Sequence, residues 1–407
     1  MADTENNKNS NSPASTSAPA LRFPGFTEPW RKCFISQLGD IITGNTPSTK
    51  QSENYSEDGY LWASPSDLNV TKYVYDTKTR LSQIGFQKTR IIPKHSILVT
   101  CIGSTIGKMG MASTVMSTNQ QINAVVVNSS FDKDFVYYAI QSRFPKYLSS
   151  IAVQAVPILS KSTFCELENY YPSKIEQTKI GELLSLLDER IATQRRLIED
   201  LEKLKSSIIE RYFTLQSNTK IKLGDIGSFI RGITYSAEDV TDDETAITII
   251  RANNLNYGRD VNGINVVYIT KIPSEKQLLR KGDIAICMAN GSSSLVGKNS
   301  YYPHDDKKST IGAFCGIYRS PNPLVRWYMQ SNAYKRQIYH SLQGGNGAIA
   351  NLNSEDILNI TIPLISAEKA PTIVSALDNI EYSVRINVRL LDLLNKKRTY
   401  LLQRMFI

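Results

Sequence analysis

The chain has 407 residues, enough for two domains with separate cores, and its 41% hydrophobic and 21% charged content is that of an ordinary globular protein. Its five cysteines (Cys33, Cys101, Cys165, Cys287, Cys315) never form C-x-x-C, which argues against a disulfide framework or a zinc site, and no apolar run approaches the roughly eighteen residues of a membrane span. A net charge of +9 favours an acidic partner such as nucleic acid, and a reducing cytoplasm is the expected compartment.

Residues 1–20, MADTENNKNSNSPASTSAPA, contain no basic segment followed by an apolar one and are expected to be a disordered tail. Residues 21–172 are β-rich, with short apolar runs (YLWA, SILVT, INAVVV) broken by Gly, Pro, Asn and Ser clusters. Within them LVTCIGSTIGKMG, Leu98 to Gly110, looks like a phosphate-binding loop. That loop needs G-x-x-x-x-G-K-[ST], but Gly103 and Gly107 have three residues between them and Met109 follows Lys108. A strand-to-strand turn is expected instead.

Residues 173–215 read as a long helix opened by a capping box, Ser173 with Glu176, directly after Pro172. Alternate steps of four and three give a seam of Ile180, Leu184, Leu187, Ile191, Gln194, Ile198, Leu201, Lys205, Ile208 and Tyr212. The short stretch 215–220 leads into a second β-rich region, residues 221–363, with runs AITIIRA, DIAICM and FCGIY. This region repeats the Gly-Lys loop in CMANGSSSLVGKNS, now with five residues between Gly291 and Gly297 and Asn299 after Lys298.

A second helix is expected over 366–407. Adding 193 to each seam position gives Ile373, Leu377, Ile380, Val384, Asn387, Leu391, Leu394, Arg398, Leu401 and Met405, so even the polar interruptions coincide. Leu38-Gly39-Asp40-Ile41 likewise recurs as Leu223-Gly224-Asp225-Ile226. A helix of about forty residues spans about 60 Å, too long to pack along one small domain. The implied fold class is α+β: two tandem β-rich domains alternating with two long helices that pair as an antiparallel coiled coil with pseudo-twofold symmetry.

Catalytic chemistry is not visible. The three histidines (His95, His304, His340) stand alone, and neither G-x-S-x-G nor H-E-x-x-H occurs. The chain reads as a binder, with no catalytic residue, no metal ligand and no cofactor of its own. Polar loops between strands carry the vocabulary of base and phosphate contacts. The candidate DNA-binding residues are Asn45, Ser48, Lys50, Ser66, Lys108, Asn119, Gln120 and Gln121 in the first domain. In the second they are Arg231, Tyr235, Arg251, Asn253, Asn254, Lys298, Asn299 and Asn346. Asn and Gln can read adenine, Arg can read guanine, and Lys serves phosphate.

These motifs, in this order and occurring twice, resemble the specificity (S) subunits of type I restriction-modification systems. The resemblance rests on Gly44-Asn45-Thr46-Pro47-Ser48, Ser66-Asp67-Leu68, Ile92-Pro93-Lys94, Ile106-Gly107-Lys108 and Thr118-Asn119-Gln120-Gln121. In the second half it rests on Arg231-Gly232-Ile233-Thr234-Tyr235, Ile250-Arg251-Ala252-Asn253-Asn254, Gly282-Asp283-Ile284 and Val296-Gly297-Lys298. It implies that residues 21–172 and 221–363 are target-recognition domains for the two halves of an asymmetric split sequence, and that the helices set the gap. It also implies two modification (M) subunits as partners, with S-adenosylmethionine for adenine methylation, and restriction (R) subunits using ATP and Mg. The competing reading is a coiled-coil adaptor whose β-rich domains bind peptides; a nucleotide-using enzyme is the third.

Overall fold

The computed structural model describes residues 18–149, 157–214, 219–261, 263–342, 350–366 and 368–407. Most of the expected tail, most of the 215–220 connection and the candidate Asn346 lie outside the described residues. The chain divides into two units, one made of residues up to Arg196 together with Arg389–Ile407, the other of Leu197–Val388.

In the first unit a five-stranded sheet runs in the order Gly39–Thr43, Ile122–Val127, Ile97–Thr100, Met109–Ala112, Tyr73–Val74. A three-stranded sheet places Tyr55–Ala63 between Arg80–Leu81 and Ser117–Thr118. Within SILVT the segment Ile97–Val99 is continuously apolar because its strand is covered on both faces. Ile97 and Val99 enter a core with Phe135, Tyr138 and Phe164, whereas Leu98 enters a second core with Leu61, Met116 and Ile122.

The second unit repeats this logic. Its four-stranded sheet runs Ser228–Arg231, Cys315–Arg319, Ile284–Cys287, Asn299–Tyr301, and another runs Val240–Thr241, Val267–Ile269, Ile247–Ile250, Ser309–Ile311. Ile284 and Ile286 face one core, Ala285 and Cys287 the other. Each unit also holds an equivalent parallel pairing in a mostly antiparallel setting: Ala63 opposite Thr118, and Ile250 opposite Ile311.

The first long helix spans Lys174–Thr214 and the second Ala370–Arg404. The expected capping box is only half formed. Ser173 Oγ accepts the Glu176 N–H at 3.4 Å, but the Glu176 carboxylate is taken by Arg22, with Nε at 2.9 Å and Nη2 at 2.7 Å. A bidentate, charge-assisted pair in a buried place outcompetes a return bond to one backbone N–H. The second helix starts four residues later than expected, with Pro371 in its first turn, where a missing N–H costs nothing.

Within each unit the helices run antiparallel. In the first, Ile180 and Leu184 share a core with Leu401 and Met405, and Asp188 pairs with Arg398 at 2.5 Å. In the second, Ile209 and Phe213 share a core with Ile373 and Leu377, and Lys205 pairs with Glu381 at 2.7 Å. The two ion pairs are the same pair, since Arg398 is Lys205 plus 193 and Glu381 is Asp188 plus 193. The basic seam residues Lys205 and Arg398 therefore carry carboxylate partners on the facing helix.

One stretch of the seam departs from expectation: Ile208 and Tyr212 are only partly buried, and Ile209 and Phe213 take the core positions. A straight helix drifts by about 20° per heptad against a strict seven-residue repeat, and here its end packs against the domain core.

Candidate nucleic-acid interface

Both Gly-Lys loops are hairpin turns. In the first, Thr100 N–H donates to Lys108 C=O and Gly107 N–H to Thr100 C=O, each at 2.9 Å. In the second, Cys287 N–H donates to Lys298 C=O and Gly297 N–H to Cys287 C=O, each at 2.8 Å. The glycines are required for two reasons. Their φ angles are +90° and +80°, and a Cβ would lie 2.7 Å from the Phe144 ring in one case and 2.7 Å from Ile338 in the other. The glycine admits a packed side chain from a neighbouring helix.

In the first domain Asn45, Asn119 and Gln120 are brought together at a single edge. Asn45 N–H donates to Thr118 C=O at 2.9 Å, Asn119 N–H to Ala63 C=O at 2.9 Å, and Thr46 Oγ1 to Gln120 Oε1 at 2.5 Å. Gly44 lies so close to this turn that a Cβ would meet Asn119 O at 2.2 Å. Arg90 Nη1 donates to Thr43 C=O at 2.8 Å, and Asn45 Oδ1 accepts the Arg90 N–H at 2.8 Å. Asn54, fully buried, holds the Thr43–Lys50 loop by donating to Ser48 C=O at 3.0 Å and accepting from Lys88 Nζ at 2.8 Å. Ser48, Lys50, Ser66 and Gln120 are exposed and Lys108 is half-buried. Asn119 is buried, its amide bonded to Gln121 at 2.9 Å, so it shapes the turn and Gln120 is the side chain presented.

The second domain builds the same edge with different side chains. Gly232 N–H donates to Cys315 C=O at 3.1 Å, Gly312 N–H to Ile250 C=O at 3.0 Å and Cys315 N–H to Gly312 C=O at 2.9 Å. These bonds match those of Gly44, Asn119 and Ile122 in the first domain, so Asn119-Gln120-Gln121 corresponds to Gly312-Ala313-Phe314. Tyr235, Arg251, Asn253, Asn290 and Phe314 line one cleft of about 740 Å³. Arg251 Nη2 donates to Asn265 C=O at 3.1 Å, while its buried Nε has no partner among the described residues.

Asn254 is 1% exposed, its Oδ1 accepting the Arg251 N–H at 3.0 Å and its Nδ2 donating to Ile264 C=O at 2.9 Å. Asn299 is likewise buried, donating to Met329 C=O at 2.9 Å. Both amides are committed to the fold, which leaves Asn253 as the presented amide of its turn. Arg231 is exposed on the strand leading to Gly232. Lys298 lies outside the cleft, its ammonium 4.7 Å from the Tyr257 ring centre, in a smaller pocket of about 260 Å³ with Ser293, Ser294 and Lys335.

Sequence reasoning overlooked Arg90 and Phe314. Arg90 lacks a motif and is recruited by long-range bonds, but Phe314 had a signal: a large apolar residue at a turn, aligned with a glutamine in the first copy. Nucleophilic or ligand roles for the cysteines find no support in their surroundings. Burial pushes the Cys33 thiol up to about 11 and those of Cys101 and Cys315 up to about 12, away from the reactive thiolate. Among the described residues no group of three or more His, Cys, Asp or Glu side chains could hold a metal ion, and no helix is long and apolar enough to cross a membrane.

Residues 27–203 match the family Methylase_S, the type I restriction modification DNA specificity domain. The type I restriction enzyme MjaIX specificity subunit of Methanocaldococcus jannaschii is 30% identical over 190 residues, covering 45% of this chain and 44% of that protein. The HindI specificity subunit of Haemophilus influenzae is 32% identical over 186 residues, covering 44% of this chain and 37% of that protein. The chain thus spans less than half the length of these two curated relatives. In fold, the type I S subunit from M. genitalium matches with a TM-score of 0.63 at 20% identity, covering 96% of this chain and 99% of that one. That likeness is one of fold alone. In sequence over residues 27–203, and in fold over nearly its whole length, the chain is similar to type I specificity subunits.

Proposed function

We propose that this chain, similar to type I specificity subunits, is itself a DNA-recognition subunit. It reads an asymmetric split target, one domain to each half-site, and directs adenine methylation by two M subunits, with R subunits joining where the system has them. On this reading the chain is non-catalytic, and S-adenosylmethionine, ATP and Mg belong to its partners. The long helices set the gap between half-sites and the strand-edge loops set the bases.

The observation that carries the reading is one recognition edge built twice with different side chains. Thr46, Arg90 and Gln120 furnish it in the first domain, and Tyr235, Arg251, Asn253 and Phe314 in the second. Two unlike readers on one chain suit an asymmetric sequence, whereas a symmetric dimer favours a palindrome. The mix of guanidinium, amide and hydroxyl groups matches the donors and acceptors that base edges present in the major groove.

The test is selection of duplexes from a randomised pool by the full chain, alone and with M subunits, across a salt series. Enrichment of one split motif with affinity that falls steeply with salt supports the proposal. A chain that enriches no duplex at low salt, while capturing peptides, is an adaptor instead.

A further inference from the structure

We infer that Phe314 is a base reader of the second domain, its ring set against the C5-methyl group of a thymine in that domain's half-site. The inference rests on the DNA-binding reading above and adds a residue and a base to it.

Phe314 is 70% exposed although Gly312 and Cys315, which bracket its turn, are buried. Gly312 C=O accepts the Cys315 N–H at 2.9 Å, and Phe314 C=O accepts the Met288 N–H at 2.8 Å. Cys315 and Met288 are both buried, so the backbone is fixed on each side while the ring is held out at the cleft. An exposed aromatic ring forgoes the stabilisation of burial, which a surface docked on the cleft would restore. The equivalent turn of the first domain has Gln121 at this place, with its amide turned inward to Ile102 C=O at 3.4 Å. The same scaffold therefore presents an apolar group in one domain only.

The surroundings identify the partner. Arg251, whose buried Nε has no partner among the described residues, lines the cleft with Asn253, Asn290, Thr234 and Tyr235. Its Cγ lies 3.9 Å from where a Cβ on Gly312 would be, which places its stem against the turn carrying Phe314. One apolar ring beside a guanidinium and two amides is complementary to a surface on which a methyl group adjoins hydrogen-bond donors and acceptors. The major-groove edge of duplex DNA presents this wherever thymine occurs, and RNA lacks the methyl group.

The experiment uses the full chain and the split motif enriched from a randomised duplex pool. The expected motif contains an invariant thymine in the half-site assigned to the second domain. Replacing that thymine by deoxyuridine keeps the base pair, removes the methyl and weakens wild-type binding by about fourfold, the effect of one buried methyl group. Phe314→Ala loses at least as much on the thymine duplex and binds thymine and deoxyuridine duplexes alike, whereas Phe314→Leu keeps part of the discrimination. Unchanged selectivity at the first half-site shows that the variant is folded. The inference is overturned if Phe314→Ala still distinguishes thymine from deoxyuridine, or if wild type does not distinguish them. Failure of wild type to enrich any duplex overturns the DNA-binding reading itself, a different result from enrichment without methyl discrimination.

Discussion

Asn253 and Asn254 are adjacent and chemically identical, yet only one faces outward. Replacing Arg251 and Asn253 by alanine is expected to relax one half-site, at about 1–3 kcal/mol per lost base contact, and to leave the other intact. Competition binding against single-base variants of the target checks this. Asn254→Ala removes a buried amide that holds the Arg251 N–H and the Ile264 C=O, so its effect is on stability, about 1–3 kcal/mol in a denaturant titration. Lys108→Ala and Lys298→Ala should weaken binding to all duplexes and lower the slope of log affinity against log salt by about one each. A base-selective loss would make that lysine a reader. The sequence made this vocabulary of residues legible but not their orientation. Asn119, Asn254 and Asn299 carry the same side chain as Asn253, and the burial that comes with folding, with bonds such as those of Asn254 to Ile264 C=O and Asn299 to Met329 C=O, decides which amide is spent inside the fold.

Among the elements, the two helices were the most legible, because a 3.5-residue seam is a local pattern and its recurrence at 193 residues is a second, independent signal. The acids that meet the polar seam positions could have been read from the same offset, since Asp188 plus 193 is Glu381. The shift to Ile209 and Phe213 could not, because it is imposed by a core gathered from distant strands. Glu381 is 2% exposed, so Lys205→Ala leaves a buried carboxylate without its cation and is expected to cost about 3–5 kcal/mol. Lys205→Glu should be at least as harmful, and Lys205→Glu with Glu381→Lys should recover part of the loss. A double-mutant cycle by chemical denaturation measures the coupling. Additive effects would mean that the pair does not set the helix register.

For the molecule as a whole, two tandem domains and two helices followed from the repeat, whereas sheet order did not. Nothing local in Ser228–Arg231 says that it pairs with Cys315–Arg319, some ninety residues on, since strand pairing is decided by which faces must be covered. The claim that the loops choose the bases while the helices choose the gap can be tested at the places where both helices pass from one unit to the other. Four helix-forming residues inserted after Arg196 and four after Val388 leave the packing within each unit unchanged. They add about 6 Å of helix, close to the rise of two base pairs at about 3.4 Å each, and return the helix to nearly the same rotational setting. The most direct measurement is a genome-wide map of methylated adenines in a host deleted for this gene and complemented with either the natural or the lengthened chain. The natural chain should restore one split motif, and the lengthened chain the same two half-sequences with one or two more base pairs between them. A map in which no methylated motif depends on the gene would contradict the account.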